Sequence, residues 1–318
     1  FFMSNVREQV GELGAGNIPA LLGLTEARAG QTISTVKGID LFEPSKYVSE
    51  PVIQMAIEPK HPKDLPQLVE TLRKLTIEDP NLVIKIDEET GETIMAGMGV
   101  LHLDVSVNLI KDAKIDIITS EPLINYRETI LGSSEVVMAK SPNRHNKIFM
   151  RVEPLEPEIA EMCRDGTLSE MKDKKETMQI LRDHGWEPDV AKKVMRFDSR
   201  GNVMINGTKG VQFVDESTDS LLSGFDDLIN EGGLAKEQVR NCKFTFTHFV
   251  PHEDTAHRGL SQLGPASRRA CLGAFLSAEP IILEPMLAIE VRVPTDLIGN
   301  VSSVLQGKRG KVLDMQQK

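Results

Sequence analysis

The stretch Val52–Pro80, VIQMAIEPKHPKDLPQLVETLRKLTIEDP, decides how the chain is parsed. VIQMAIEP has strand composition. In the run that follows, Leu65, Leu68, Leu72 and Leu75 recur at the spacing of one helix face. Next, LVIKID (82–87) and ETIMAG (92–97) read as two short strands joined by a turn around Gly91. GVLHLDVSVNLIKDA (99–113) offers a second helix, and KIDIIT (114–119) a closing strand. The order β-α-β-β-α-β predicts a ferredoxin-like unit over 45–121.

Upstream, Ile18–Leu24 and Thr32–Val36 alternate with Gly14, Gly16, Gly23 and Gly30, a pattern that suits the closing strands of a small β-barrel over 1–44. Two or three strands are not stable alone, so a covering sheet is expected elsewhere in a longer chain. Both ends agree with that: Met3 follows two phenylalanines, and GKVLDMQQK stops just after a strand-like run.

Downstream, SEPLINYRET (120–129) reads as a joint into an α/β region over 122–278. SSEVVMAKSPNRHNKIFMRVEPL (133–155) predicts two strands with a polar tip at Ser141–Asn146. The charged run 156–186 predicts a pair of solvated helices. STDSLLSGFDDLINEGG (217–233) predicts a helix that buries Leu221, Leu222, Phe225, Leu228 and Ile229 and ends at Gly232 and Gly233. VRNCKFTFTHFV (239–250) reads as a strand, and 261–280 as a helix with Pro265 in its first turn. From 279 onward, PMLAIEVRVP, TDLIGNVSSVLQGKRG and KVLDMQ spell β-α-β, half of another ferredoxin-like unit. The fold class is therefore α+β and multidomain.

With 318 residues and 40% hydrophobic content, the chain can bury more than one core. No apolar run approaches the ~18 to 20 residues that span a bilayer, so no membrane partner is expected. Cys163, Cys242 and Cys271 lie far apart without CxxC spacing, which indicates neither a disulfide framework nor a cysteine zinc site and fits a reducing cytoplasm. The net charge of −10 excludes a protein that coats nucleic acid indiscriminately, yet leaves local basic surfaces open. Two such runs stand out: Lys140, Arg144, Lys147 and Arg151 in one, Arg258, Arg268 and Arg269 in the other. Two solvated loops and a phosphate-binding surface are near-even readings of these runs, and their places at separate strand ends of one domain, where they could share a tip, favour phosphate.

THFVPHEDTAHRG (247–259) gathers His248, His252 and His257 beside Glu253 and Asp254. A metal site, acid–base catalysis, a polar surface loop, and a contact or modification site all remain open. Pro251 breaks any helix between the first two histidines, and HEDTAH is one residue too long for HExxH. A nucleophile elbow GxSxG is absent. So is a phosphate-cradling GxxxxGK[ST], because Gly307-Lys308 and Gly310-Lys311 are followed by Arg309 and Val312. This stretch by itself should not hydrolyse a nucleotide through a P-loop.

SEPVIQMAIEPKHPKDLPQLVETLRKLTIEDPN, GMGVLHLDV, KSPNRHNKIFM and HEDTAHRGLSQLGPASRRA together resemble the elongation factor 2 family, the ribosomal translocases of archaeal and eukaryotic type, and the wording leans archaeal. The resemblance runs in order over essentially the whole chain. It implies the end of β-barrel domain II (1–44), ferredoxin-like domain III (45–121) and domain IV (122–278). Domain IV would be an α/β domain with a left-over-right strand–helix tip, ribosomal protein S5 domain 2-like. The start of a ferredoxin-like domain V (279–318) would follow. It implies a parent that moves tRNA and mRNA through the ribosome at the expense of GTP. GTP and magnesium belong to a GTPase domain outside this stretch, which needs no cofactor of its own.

The D-x-x-H-R-G motif maps onto Asp254, His257, Arg258 and Gly259, and makes His257 the histidine converted to diphthamide. The tip that meets ribosomal RNA, tRNA and mRNA at the decoding site would comprise Ser141, Pro142, Asn143, Arg144, His145 and Asn146 with His252, Asp254, Arg258, Gly259 and Gln262. Diphthamide-synthesis enzymes, and an ADP-ribosylating toxin of the diphtheria type, are the further partners implied. The modification has a physical rationale, because an ordinary imidazole with a pKa of about 6.5 is only about a quarter protonated at pH 7, whereas diphthamide carries a permanent ammonium. Two departures are GLSQLGP after Arg258, where eukaryotic members resemble GGGQIIP with Gln262 kept, and Val100 where many members have Glu. The rivals are a metal-dependent hydrolase built on His248, His252, His257 and Asp254, and an RNA-binding module without a motor.

Overall fold

Period-2 burial opens the first folded region, since Ile53, Met55 and Ile57 point one way from their strand and are buried. The computed structural model describes residues 2–3, 6–7, 11–12, 14–21, 23–24, 27–40, 42, 50–86, 92–169 and 173–316. Strands β1 (Phe2–Met3) and β2 (Val6–Arg7) pair antiparallel. The strands expected at Ile18–Leu24 and Thr32–Val36 are not formed among the described residues, where Ile18, Leu21, Leu24, Ile33 and Val36 stand exposed. A strand needs a neighbour to satisfy its backbone groups, and no described residue supplies one there.

Then follow β3 (Ile53–Pro59), α1 (Leu65–Glu78), β4 (Val83–Ile86), β5 (Thr93–Gly97), α2 (Val100–Asp112) and β6 (Ile117–Thr119). The sheet order is β4-β5-β3-β6, antiparallel throughout, and β7 (Leu123–Ile124) adds to β3. Leu68, Leu72 and Leu75 of α1 and Leu103, Val107 and Ile110 of α2 close over Ile53, Met55, Ile57 and Met95. Leu65, expected on the same stripe, lies in the first turn and is 45% exposed. The turn expected around Gly91 lies outside the described residues. The end of α1 is tied to α2 by His102, whose Nε2 lies 2.9 Å from Asp79 Oδ2 while its Nδ1 accepts from the Met98 N–H.

The expected joint at 120–129 is itself structured. Strand β8 (Arg127–Ile130) is the centre of a three-stranded sheet with β13 (Gln238–Val239) and β15 (Pro280–Leu283), elements that come later in the chain. The buried Glu128 carboxylate of β8 accepts the N–H groups of Leu234 (2.9 Å), Ala235 (2.7 Å) and Glu237 (3.1 Å). The Pro280–Leu283 strand, which the sequence reading places in the piece beginning at 279, therefore pairs backwards onto the region that begins at 122.

The main sheet is built from β9 (Val137–Lys140), β10 (Lys147–Pro154), β11 (Val194–Asp198), β12 (Asn202–Asn206) and β14 (Cys242–Val250), in the order β11-β12-β14-β10-β9. Helices α3 (Pro157–Arg164), α4 (Lys174–Asp183) and α5 (Pro188–Ala191) lie between β10 and β11, and α6 (Val214–Asn230) connects β12 to the parallel β14. The sheet is covered on both faces. Met204 faces the core that holds Leu221, Leu222, Phe225, Leu228 and Ile229 of α6, while its neighbours Val203 and Ile205 face Ile159, Cys163 and Leu181 of α3 and α4. The helices expected to be solvated at 156–186 thus enclose a core of their own.

Helix α7 (Leu260–Leu276) packs against α6 and buries Leu263, Ala266, Ala270 and Ala274. The close crossing depends on Gly224, where an added Cβ would lie 2.5 Å from the Gly264 carbonyl oxygen and the Arg268 nitrogen. Pro265 sits in the second turn of α7 rather than the first. Pro285–Lys318 forms a separate unit with α8 (Ile298–Gly307) as its regular element. The strands expected at 285–294 and 311–316 are not formed among its described residues, which lack a pairing neighbour. Among the described residues no helix is long and apolar enough to cross a membrane.

Candidate functional site

The site begins with a bulge. Along β14, Cys242, Phe244 and Phe246 point inward, and then the pairing with β10 slips by one residue so that Phe149 faces His248 while Met150 faces Phe246. The bulge at Thr247 turns Phe249 inward and leaves His248 and Val250 outward. The chain leaves the sheet through Pro251 and returns at Gly259, the N-cap of α7.

Between them, Asp254 caps a short 3-10 turn at Thr255–His257 by accepting the Ala256 N–H at 2.9 Å. His252 Nδ1 accepts from the Asp254 N–H at 3.1 Å, which assigns the ring proton of a neutral His252 to Nε2.

Across from this loop, β9 and β10 form the expected hairpin with Ser141–Asn146 at its tip. The Ser141 N–H donates to the Asn146 carbonyl at 3.0 Å, and the Arg144 N–H to the Ser141 carbonyl at 2.8 Å. Arg144 takes a left-handed φ of 64°. Asn143 Oδ1 accepts from the Ser141 hydroxyl and the His145 N–H.

The two loops are sewn together by side-chain amides. Asn146, fully buried, donates through Nδ2 to the His257 carbonyl at 2.7 Å and accepts through Oδ1 from the His252 N–H at 2.9 Å. Asn143 Nδ2 donates to the same His257 carbonyl at 3.1 Å, and the Asn143 N–H donates to Gln262 Oε1 at 3.0 Å. The peptide of His257 is thereby held by two asparagines from the opposite loop. Its ring stays half-exposed, and neither of its nitrogens hydrogen-bonds another described residue.

Three imidazoles face one another at the tip: centroids are 4.6 Å apart for His252 and His257, 5.0 Å for His145 and His257, and 5.1 Å for His145 and His252. This is not the trio that stands together in the sequence. His248 lies apart on the strand with its ring 5.3 Å from Phe149, and His145 from the other loop takes the third place. Among the described residues no group of three or more His, Cys, Asp or Glu side chains is placed to hold a metal ion.

Arg258 departs from the expected basic surface. Its side chain is 4% exposed, stacks 3.9 Å from the ring centre of Phe213 and reaches Glu216 at 3.3 Å. It braces the loop against the start of α6 instead of facing solvent, and its Nε and Nη1 have no hydrogen-bond partner among the described residues. Phe213 itself takes a left-handed φ of 65° to open α6. Sequence reasoning missed both Phe213 and Glu216; the acidic first turn of α6, Asp215 and Glu216, is the one signal that a cation belongs nearby. Arg268 is paired with Glu231 at 3.3 Å, and Arg151 with Glu153 at 3.6 Å. Pro142, Arg144 and His145 are exposed at the tip.

Family models described as Elongation Factor G, domain III, Elongation factor G, domain IV, and Elongation factor G C-terminus match residues 48–121, 166–279 and 281–318 in that order. Over its full 318 residues the chain is 71% identical to the elongation factor 2 of Cenarchaeum symbiosum. The chain belongs to the elongation factor 2 family. It is also 47% identical to the elongation factor 2 of Metallosphaera sedula and 46% identical to that of Sulfurisphaera tokodaii, each over 99% of the chain. It spans 44% of the length of each of these three relatives. The domain IV match begins at 166, beyond the tip hairpin. The hairpin joins the matched region through β10, which pairs with β14 along its whole length.

Proposed function

We propose that this stretch is the ribosome-facing part of a translocase that moves tRNA and mRNA with GTP, and that the paired loops Ser141–Asn146 and His252–Gln262 form the end of domain IV that enters the decoding region. In this reading 1–44 ends a β-barrel domain II, 45–121 is a ferredoxin-like domain III, and 122–278 is domain IV with the ribosomal protein S5 domain 2-like tip. Residues 279–318 begin a ferredoxin-like domain V. GTP and magnesium act in a domain outside this stretch, and the protein works in the cytoplasm.

The observation that carries the reading is the double clamp on the His257 carbonyl by Asn143 and Asn146. It fixes the backbone of one residue of the loop while leaving that residue's imidazole without a hydrogen-bond partner among the described residues. A side chain held this way is poised for modification, and His257 is the residue we assign to diphthamide. A permanent cation within about 4 Å of a phosphate is worth ~1 kcal/mol at the dielectric of water and ~4 kcal/mol at an effective value of 20. Asp254 and His252 shape the loop through its backbone. The diphthamide-synthesis enzymes, and an ADP-ribosylating toxin acting on the product, are the partners that follow.

The test is the intact mass of the His257 peptide from the native organism. Diphthamide mass on that peptide is expected. An unmodified histidine would overturn the assignment, and toxin-catalysed labelling that persists in His257→Ala would overturn the toxin step.

A further inference from the structure

We propose that His102 is a proton-operated catch in the domain built from β3 to β6. Neutral, it ties the end of α1 to the entry of α2 through both ring nitrogens; protonated, it keeps the first tie and releases the second. The inference goes beyond the reading of the tip and does not draw on it.

His102 stands in the first turn of α2 with its side chain 20% exposed. Its Nε2 lies 2.9 Å from Asp79 Oδ2, and Asp79 Oδ1 accepts the Asn81 N–H at 2.8 Å, so the carboxylate that closes α1 is engaged through both oxygens. On the other side of the ring, Nδ1 accepts the Met98 N–H at 3.1 Å. A backbone N–H can only donate, so neutral His102 carries its proton on Nε2 and presents a bare Nδ1 to Met98. The fit is close. A Cβ added at Gly97 would lie 2.8 Å from Nδ1, so only glycine lets the chain pass the ring at that point.

The two nitrogens respond differently to a second proton, which can enter only at Nδ1. Nε2–H still donates to Asp79, now within an ion pair. Nδ1–H instead meets the Met98 N–H donor to donor, and that contact must open. The peptide can turn away because Met98 sits between Gly97 and Gly99, and glycine has the widest backbone freedom. Asp79 is the charged side chain in contact with the ring. The strand behind it, β5, carries no ionisable group. Glu58 of β3, Lys85 of β4, Glu92 ahead of β5, Glu70, Arg73, Lys74 and Glu78 of α1, and Asp104, Lys111 and Asp112 of α2 are all exposed. Release at Met98 acts on the start of α2, where the exposed Val100 and Leu101 follow directly.

The experiment follows amide-exchange protection in the 318-residue chain from about pH 8 to about pH 5, the span in which an imidazole takes up its proton, with the nitrogen NMR signals of His102 reporting its tautomer. At the upper end Nδ1 should read as bare and Nε2 as protonated. Toward the lower end protection at Met98 should fall about tenfold, as one hydrogen bond is lost, while protection at Asn81 holds. His102→Asn puts an amide oxygen near the place of Nδ1, an acceptor that proton uptake does not convert, so Met98 should stay protected throughout. His102→Gln reaches Asp79 from the place of Nε2 and offers Met98 no acceptor, so Met98 should be unprotected at every pH with Asn81 kept. Protection at Met98 that does not change with pH in the parent chain would overturn the catch. So would a fall that persists in His102→Asn, or one that Asn81 shares, which would mark opening of the whole domain.

Discussion

Asn146 is the residue on which the tip turns, and Asn146→Ala measures it. The side chain makes three hydrogen bonds: to the His257 carbonyl (2.7 Å), to the Ser141 hydroxyl (3.1 Å) and from the His252 N–H (2.9 Å). Their losses are unequal. The His257 carbonyl keeps Asn143, and the Ser141 hydroxyl keeps the Asn146 backbone N–H at 3.0 Å, so each of those losses costs about 1 kcal/mol. The half-buried His252 N–H loses its partner outright, which adds about 1 to 3 kcal/mol. The sum is about 3 to 5 kcal/mol, a large share of the ~5 to 15 kcal/mol that holds a domain folded. Asn143→Ala should cost less, because Asn143 is only half-buried: the His257 carbonyl retains the shorter bond from Asn146, and of the two donors that lose Asn143 Oδ1, the His145 N–H is at an exposed residue where water replaces it and the Ser141 hydroxyl can turn to the Asn146 carbonyl. Asn146→Asp keeps the acceptor for His252 but sets a carboxylate oxygen against the His257 carbonyl, so it should be worst at neutral pH and recover as acid protonates it. Denaturant titration, read alongside amide exchange at His252, gives both the magnitude and the location. A cost below about 1 kcal/mol for Asn146→Ala, or equal costs for the two asparagines, would refute the clamp.

Gly224→Ala should wedge α6 away from α7, because the new methyl would meet backbone atoms at 2.5 Å that cannot swing aside; we expect a loss of about 3 kcal/mol or more by thermal melting, and a neutral result would contradict the close crossing. Phe213→Ala removes the platform under Arg258 and keeps the left-handed strain, whereas Phe213→Gly removes both, so the alanine variant should be the less stable by about 1 kcal/mol. Burial pushes the Cys163, Cys242 and Cys271 thiols up to about 12, so a thiol reagent at mildly alkaline pH should label none of them in the native chain and all three after unfolding. Their linkage has a fixed sign: with folded values raised above the ordinary 9.0, the contribution is complete below pH 9 and is lost as pH rises toward about 12, so melting temperature should fall across that window.

Much of the first domain was legible because its elements are short, amphipathic and local. The stripe Leu68, Leu72, Leu75 and the alternation Ile53, Met55, Ile57 each name their buried face without help from distant residues. The tip hairpin was legible for the same reason, with turn formers between two apolar runs. What the sequence concealed depends on partners far along the chain. β8 looks like part of a joint, and becomes the centre of a sheet only because Gln238–Val239 and Pro280–Leu283 arrive on either side of it. Conversely Ile18–Leu24 and the run 285–294 carry strand composition, and among the described residues nothing arrives to pair with them. Composition gives a strand its tendency; a neighbour gives it its existence.

The histidines show the same limit at the scale of a site. Counting along the chain selects His248, His252 and His257, but a bulge of one residue at Thr247 sends His248 to the outer face of the strand beside Phe149. The vacancy is filled by His145 from a loop more than a hundred residues earlier, brought in by Asn143 and Asn146. Arg258 is the mirror case: the residue after His257 in a basic run looks solvent-facing, yet the turn that presents His257 drives its neighbour inward onto Phe213 and Glu216. Adjacent residues of a tight turn point in different directions. The inward one, Arg258, anchors the loop to α6, and the asparagines anchor it to the hairpin, so the half-exposed ring of His257 is held from two sides by contacts that leave its own nitrogens without a hydrogen-bond partner among the described residues.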